Sequence, residues 1–215
     1  MRICKENIKM SPRTKKQFEE MRKQSRQKIL TKALELFVNH GFDGTTISMI
    51  AKASGVSQGL LYNYYKSKDD LLEAVVMEGI KIIKEMMLEM AKGDPPEEIL
   101  KHMLEITFTS QFLGDDTFKK YFSLMLQPHI YEKYSGKFSE LLELTTKEIE
   151  KLLSKIGFAN PAVEARIVVA LLDGIGMHYW VSGNKYPIES VKQSLIDRYC
   201  IKNLRINSGD KCELK

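Results

Sequence analysis

The stretch DGTTISMIAKASGVSQGLLYNYYKSKDDLLEAVV, residues 43–76, constrains the fold more than any other part of the chain. Thr45 or Thr46 can cap a short helix that places Ile47, Ile50 and Ala51 on one side. Ala53-Ser54-Gly55-Val56 then forms a turn, and Ser57 caps a second short helix whose Leu61 and Tyr65, four apart, point back to a core. Ser67 opens a further helix with Asp69 and Asp70 in its first turn, where the helix dipole favours carboxylates. Two short helices across a glycine-containing turn form a helix-turn-helix unit. Ile47, Ile50, Ala51, Val56 and Leu61 lock the pair at a steep angle, and the small Ala51 and Gly55 allow close backbone approach. Ser57, Gln58, Gly59 and Asn63 are left on the outer face, at the end that can enter a major groove. A helix made only to fill a core would carry more apolar and fewer hydrogen-bonding groups there, so the polar residues point to DNA.

The rest of the chain is patterned as helices. Residues 1–16 are polar, basic and interrupted by Pro12, which predicts a flexible arm. From Gln17 to His40, Ile29, Ala33 and Phe37 repeat at helical spacing beside Leu30 and Leu34, with Gly41 as the stop and Phe42 tucked under the helix end. The helix begun at Ser67 runs on through Leu71, Leu72, Val75, Val76, Ile80, Ile83, Met87 and Met90. Asp94-Pro95-Pro96-Glu97 separates it from the next. Further amphipathic stretches lie at about 96–113, 116–127, 136–156, 162–182 and 188–204, and no alternating strand pattern competes with them. The expected architecture is all-α with about nine helices. A helix-turn-helix domain over 17–70 precedes a helical domain over 71–206 and a tail over 207–215.

Charge divides the same way. Residues 1–68 hold 14 Lys or Arg against 5 Asp or Glu, a net +9, while the remainder holds 19 against 23, a net −4, within a whole-chain charge of +5. The basic third suits an anionic partner, nucleic acid or an anionic membrane surface, and a solvated basic arm gives the same count. No apolar run approaches the roughly 20 residues of a membrane helix, since Ile167–Val181 is short and carries Asp173 and His178. The N-terminal stretch lacks the apolar core and cleavage site of a secretory signal. Cys4, Cys200 and Cys212 make neither an even disulfide set nor a C-x-x-C pair. A cytoplasmic protein is expected. The histidines, His40, His102, His129 and His178, lack H-x-x-x-H spacing, and there is no G-x-S-x-G or P-loop, so no metal, cofactor or enzymatic role is indicated.

Residues 25–75 resemble the TetR family of bacterial transcriptional regulators. The likeness rests on Ile29-Leu30, Ala33-Leu34-Glu35-Leu36-Phe37, Gly41-Phe42-Asp43-Gly44-Thr45-Thr46, Ile50-Ala51, Ala53, Gly55-Val56-Ser57, Gly59-Leu60-Leu61-Tyr62, Tyr65, Lys68 and Leu71-Leu72. Carried over, it implies that Thr46, Ser57, Tyr62, Tyr64 and Lys68 hold phosphates while Gln58, Gly59 and Asn63 approach base edges. The chemistry agrees: hydroxyls and lysine position the backbone, and an amide reads adenine through two hydrogen bonds. Leu60 either meets a thymine methyl or packs. Tyr65 stands where phenylalanine is common and reads as a core aromatic. Arg13, Lys15, Lys16, Arg22, Lys23, Arg26 and Lys28 can add phosphate or minor-groove contacts, or only the counterion release of a solvated tail.

The resemblance further implies a homodimer formed through the last two long helices, with Val168, Leu172, Ile175 and Tyr179 on one and Val191, Leu195 and Tyr199 on the other. A dimer presents two recognition helices about 34–36 Å apart to a palindromic operator in double-stranded DNA. Between the DNA-binding and dimerising parts, Met86, Met87, Met90, Met103, Phe108, Phe112, Phe118, Tyr121, Phe122 and Met125 suit a cavity for a small apolar effector, with His102, His129, His178, Asp173 and Trp180 as candidate polar contacts that no spacing singles out. The same residues at helical spacing also make an ordinary core. The expected function is a repressor released from its operator by a small-molecule effector. A structural DNA-binding protein without sequence choice and a helical enzyme with an unrecognised pocket are the alternatives.

Overall fold

The computed structural model describes residues 14–90, 95–109, 113–114 and 116–201, apart from the side chains of residues 89 and 90. Phe112, the side chain of Met90, Cys4, Cys212, residues 1–13 of the expected arm and the expected tail lie outside the described residues. Nine α-helices are found among those described, and no strand: α1 (Lys15–Gly44), α2 (Ile47–Ser54), α3 (Gln58–Tyr64), α4 (Lys68–Met90), α5 (Pro96–Thr107), α6 (Asp116–Met125), α7 (Pro128–Ile156), α8 (Pro161–Ser182) and α9 (Ile188–Cys200). The chain divides into two compact units between Val75 and Val76.

In the N-terminal unit α1 begins earlier than the sequence pattern indicates. Thr14 and Gln17 form a capping box, the threonine hydroxyl accepting from the Gln17 amide and the glutamine side chain from the Thr14 amide. This places residues 14–16 in or at the helix and not in a flexible arm. Ile29, Leu30, Ala33, Leu34 and Phe37 are buried along one face of α1. The helix breaks at Gly41, whose φ of 70° and ψ of 171° suit a residue without a Cβ. Phe42 then folds back, its ring 5.8 Å from that of Phe37. Thr45 is fully buried and does not cap α2; its hydroxyl donates to the carbonyls of Leu36 (3.1 Å) and Gly41 (2.7 Å), tying the break to the preceding turn of α1.

The C-terminal unit is built on a core from α5, α7, α8 and α9, including Leu100, Leu104, Ile149, Leu153, Ala165, Val168, Leu195 and Tyr199. Helix α7 starts at Pro128, about two turns before the expected 136, because proline is tolerated at a first helical position. It ends at Gly157 with Leu153 and Ile156 buried. Tyr199 stacks on Phe158 at 5.7 Å and donates to the Glu164 carboxylate at 3.3 Å, so α9 is tied to the first turn of α8. Burial, and then the neighbouring carboxylate, holds the Tyr199 phenol above its usual pKa. Among the described residues no helix is long and apolar enough to cross a membrane.

Candidate nucleic-acid interface and ligand cavity

The helix-turn-helix is defined by its caps. Thr46 accepts the Met49 amide at 3.2 Å and opens α2. Gly55 closes it in the left-handed region (φ 67°), which any other residue would adopt only with strain. The Val56 amide returns to the Ala51 carbonyl at 3.0 Å, and the buried Ser54 hydroxyl donates to the Ile50 carbonyl, so the turn is internally satisfied. Ser57 then caps α3 by accepting the Leu60 amide at 3.1 Å. Thr46 and Ser57 therefore have capping duties, and each keeps its hydroxyl proton free to reach outward.

Helix α3 is anchored by few residues. Leu61 is fully buried and Tyr65, at the C-cap, is 3 % exposed, while Ser57, Gln58, Gly59, Leu60, Tyr62 and Asn63 are all exposed. Gly59 is instructive: a Cβ built on it meets nothing within 4 Å, so no contact inside the protein requires glycine there.

Helix α1 lends α3 its basic flank. The Arg22 guanidinium sits over the Tyr64 ring at 5.7 Å, the Tyr64 hydroxyl donates to the Arg22 carbonyl at 3.4 Å, and Arg26 Nε donates to the Tyr65 hydroxyl at 3.4 Å. Tyr64 is consequently half-buried. Lys68 is also engaged within the unit, its Nζ donating to the Phe42 carbonyl at 2.7 Å and lying 4.2 Å from the Phe42 ring centroid. Its other N–H groups remain for a phosphate. The ties from Arg22 and Arg26 escape sequence inspection because they join residues about forty apart.

The C-terminal unit holds a cavity of about 240 Å³. Its walls include Met86, Met87, Met103, Phe118, Tyr121, Phe122 and Met125 from the expected apolar set, Asp173 and Trp180 from the candidate polar contacts, and Ile83, expected only as an apolar position of α4. Phe108 and His178 are corrected. Phe108 is fully buried in the core beyond the end of α5. His178 is exposed, since it follows Gly176 by two residues and so faces about 200° away from the cavity side of α8. Asp173, Gly176 and Trp180 share that side at spacings of three and four.

The cavity wall is fixed by specific contacts. Trp180 donates its indole N–H to the Leu113 carbonyl at 2.9 Å and packs against Phe122 (5.4 Å) and Phe118 (6.4 Å). Thr145 donates to the Leu141 carbonyl at 2.9 Å. The Tyr121 ring packs into a notch of α4 made by Gly79, where an added Cβ would stand 2.6 Å from the ring. Burial, reinforced by Glu78, pushes the Tyr121 phenol far above its usual pKa and keeps it neutral. Asp173 is exposed at the cavity's edge, and partial desolvation there raises its carboxyl.

The side chains expected to meet a second subunit are used inside this one. Val168, Ile175, Leu195 and Tyr199 are 9 % exposed or less, Tyr179 and Val191 pack against the core, and Leu172 lines the cavity. The exposed apolar side of α8 is a different one, formed by Val163, Ile167, Met177 and Val181.

The architecture is that of an all-α protein with an N-terminal helix-turn-helix DNA-binding domain. Residues 29–75 match the model of the family described as bacterial regulatory proteins, tetR family. The chain is 40 % identical over 108 residues to the HTH-type transcriptional regulator AcrR of Shigella flexneri, a match that covers 47 % of this chain and 48 % of that one. The chain thus spans about half the length of this relative. It is 24 % identical over 184 residues to the regulator BetI of Escherichia coli K12, covering 82 % and 91 % of the two chains. Among solved structures it resembles the transcriptional regulator FadR from Bacillus subtilis in complex with stearoyl-CoA, with a TM-score of 0.63, 20 % identity, and coverage of 81 % and 97 %.

Proposed function

We propose that this protein is a homodimeric transcriptional repressor that binds a palindromic operator through α3 and leaves it when a small apolar molecule enters the cavity of the C-terminal unit. The observation that carries the reading is the exposed run Ser57–Leu60, Tyr62 and Asn63 on a helix held down by Leu61 and Tyr65. Hydrogen-bonding side chains on a rigid platform, beside the arginines and lysines of α1, match a surface that takes its position from phosphates and its specificity from base edges. Thr46, Ser57, Tyr62, Tyr64 and Lys68 are assigned to phosphates, and Gln58, Gly59, Leu60 and Asn63 to the bases.

The dimer is assigned to the exposed side of α8. Val163, Ile167, Ala170, Gly174, Met177 and Val181 fall within about 40° of one line along the helix, and the small residues at its centre allow close crossing with a second copy. Release is assigned to α4. Its Gly79 receives the Tyr121 ring from the cavity wall, and its Leu71, Leu72 and Val75 are buried residues of the N-terminal unit's sequence. An effector that displaces Tyr121 therefore acts on the helix that leads into the DNA-binding domain, provided it binds the released state more tightly. The protein acts in the cytoplasm, as a regulator and not as an enzyme.

Fluorescence anisotropy of the purified full chain on operator and on scrambled DNA, over a range of salt, tests the reading. The parent should prefer its operator by roughly 10³ or more. Gln58→Ala should erode that preference by about 1–3 kcal/mol, whereas Lys68→Ala should weaken all DNA alike and lower the salt slope by about one phosphate. Equal binding to both DNAs at every salt would instead identify a structural DNA-binding protein.

A further inference from the structure

The cavity carries a charge pattern as well as a shape. Among the described residues of its wall, Asp173 is the one side chain that is charged at neutral pH, and no lysine, arginine or histidine is present. Two of its hydrogen-bond donors are already committed, the Trp180 indole to the Leu113 carbonyl and the Thr145 hydroxyl to the Leu141 carbonyl. A carboxylate or phosphate entering this space would meet a like charge and no counter-charge in the wall. An organic cation would meet the reverse: a carboxylate on the cavity side of α8 and, on the same side, Trp180 with the Phe118 and Phe122 rings around it. Aromatic faces attract cations, most strongly where water is partly excluded. The remaining wall, chiefly methionine, leucine and isoleucine, adapts to an apolar body of unspecified shape.

We propose that the molecule this cavity takes is a lipophilic organic monocation, an alkyl or aryl amine or quaternary ammonium, with its charged head at Asp173 and the Phe118, Phe122 and Trp180 rings and its body against the methionine-rich wall. The inference rests on the reading of the cavity as the effector site. It also separates this chain from regulators that bind acyl-CoA, whose phosphates need basic partners.

Trp180 is the sole tryptophan of the chain, so its emission reports the cavity directly. The full-length protein is titrated with decyltrimethylammonium, decanol and decanoate, each below its aggregation threshold, which varies the head charge on one alkyl body. The cation should bind about tenfold more tightly than decanol, and decanoate most weakly. Asp173→Asn, a near-isosteric change, should cost the cation about five- to tenfold and leave decanol within about twofold. Decanoate binding as well as the cation, or an unchanged cation-to-decanol ratio in Asp173→Asn, would overturn the assignment of charge while leaving the cavity a ligand site. Silence of all three probes would overturn both this inference and the effector reading beneath it.

Discussion

The two units put similar side chains to opposite uses. In the N-terminal unit, Leu60 and Tyr62 stand exposed on a small, well-anchored helix, whereas in the C-terminal unit methionines and aromatic rings turn inward around a space they do not fill. Neither arrangement serves stability. Exposed apolar surface forgoes burial, and an unfilled cavity of about 240 Å³ forgoes at most about 6 kcal/mol that close packing would supply. A large surface over a rigid frame is shaped for contact with something outside, and an underfilled interior is shaped for something that enters. Each unit thus departs from tight packing where a partner is expected to complete it.

Glycines sharpen the comparison, because the same residue type holds three different positions in it. Gly79→Ala should give the largest loss. The added methyl would collide with Tyr121, and pushing the ring into the cavity should cost about 1–3 kcal/mol in denaturant unfolding. Tyr121→Leu in the same chain should recover part of that loss, the mark of a shared contact. Gly59→Ala should leave stability within about 0.5 kcal/mol. Its added methyl has open space within the protein; if Gly59 faces the bases as proposed, operator affinity should fall roughly tenfold, about 1.4 kcal/mol. Unchanged affinity would remove Gly59 from the interface. Gly176→Ala should stabilise α8 by about 0.5–1 kcal/mol, since its Cβ would make ordinary contacts of 3.9 Å and Ala suits a helix interior. The same methyl narrows the cavity and should weaken decanol binding.

The smallest effect concerns Asp173. Its carboxyl is raised above its unfolded value by partial desolvation, so the folded state holds the proton more tightly and loses stability as pH rises through the raised pKa. Asp173→Asn should therefore raise the unfolding midpoint slightly at pH 7 and have no such effect at pH 3. Because the side chain is partly exposed, the gain should not exceed a few tenths of a kcal/mol, ~0.3. A carboxylate retained against stability accords with one kept for a ligand.

What could be seen in the sequence follows from the range of the contacts. The helix-turn-helix is local: Thr46 and Ser57 cap their own helices, Gly55 closes its own turn, and Leu61 and Tyr65 lie four apart, so composition and spacing reveal them. The cavity is assembled from five helices, and its defining contact joins Gly79 to Tyr121 across 42 residues of chain. Periodicity marks both as apolar-side positions and cannot bring them together. Helix α8 shows a second limit. It is apolar on opposite sides, with Val168 and Ile175 turned to the core and Val163, Ile167 and Val181 turned out, so no spacing rule distinguishes the buried stripe from the exposed one. Pro128 misled for a simpler reason: a proline that separates two apolar stretches can equally begin the second helix.

The central claim is that the exposed face of α3 reads sequence, and a selection of bound fragments from a random double-stranded DNA pool at near-physiological salt tests it most directly. The account predicts enrichment of a palindrome with half-sites about one helical turn apart, lost when Gln58 and Asn63 are replaced by alanine. A pool that emerges unenriched from ligand-free protein, with binding that depends on salt alone, would contradict it.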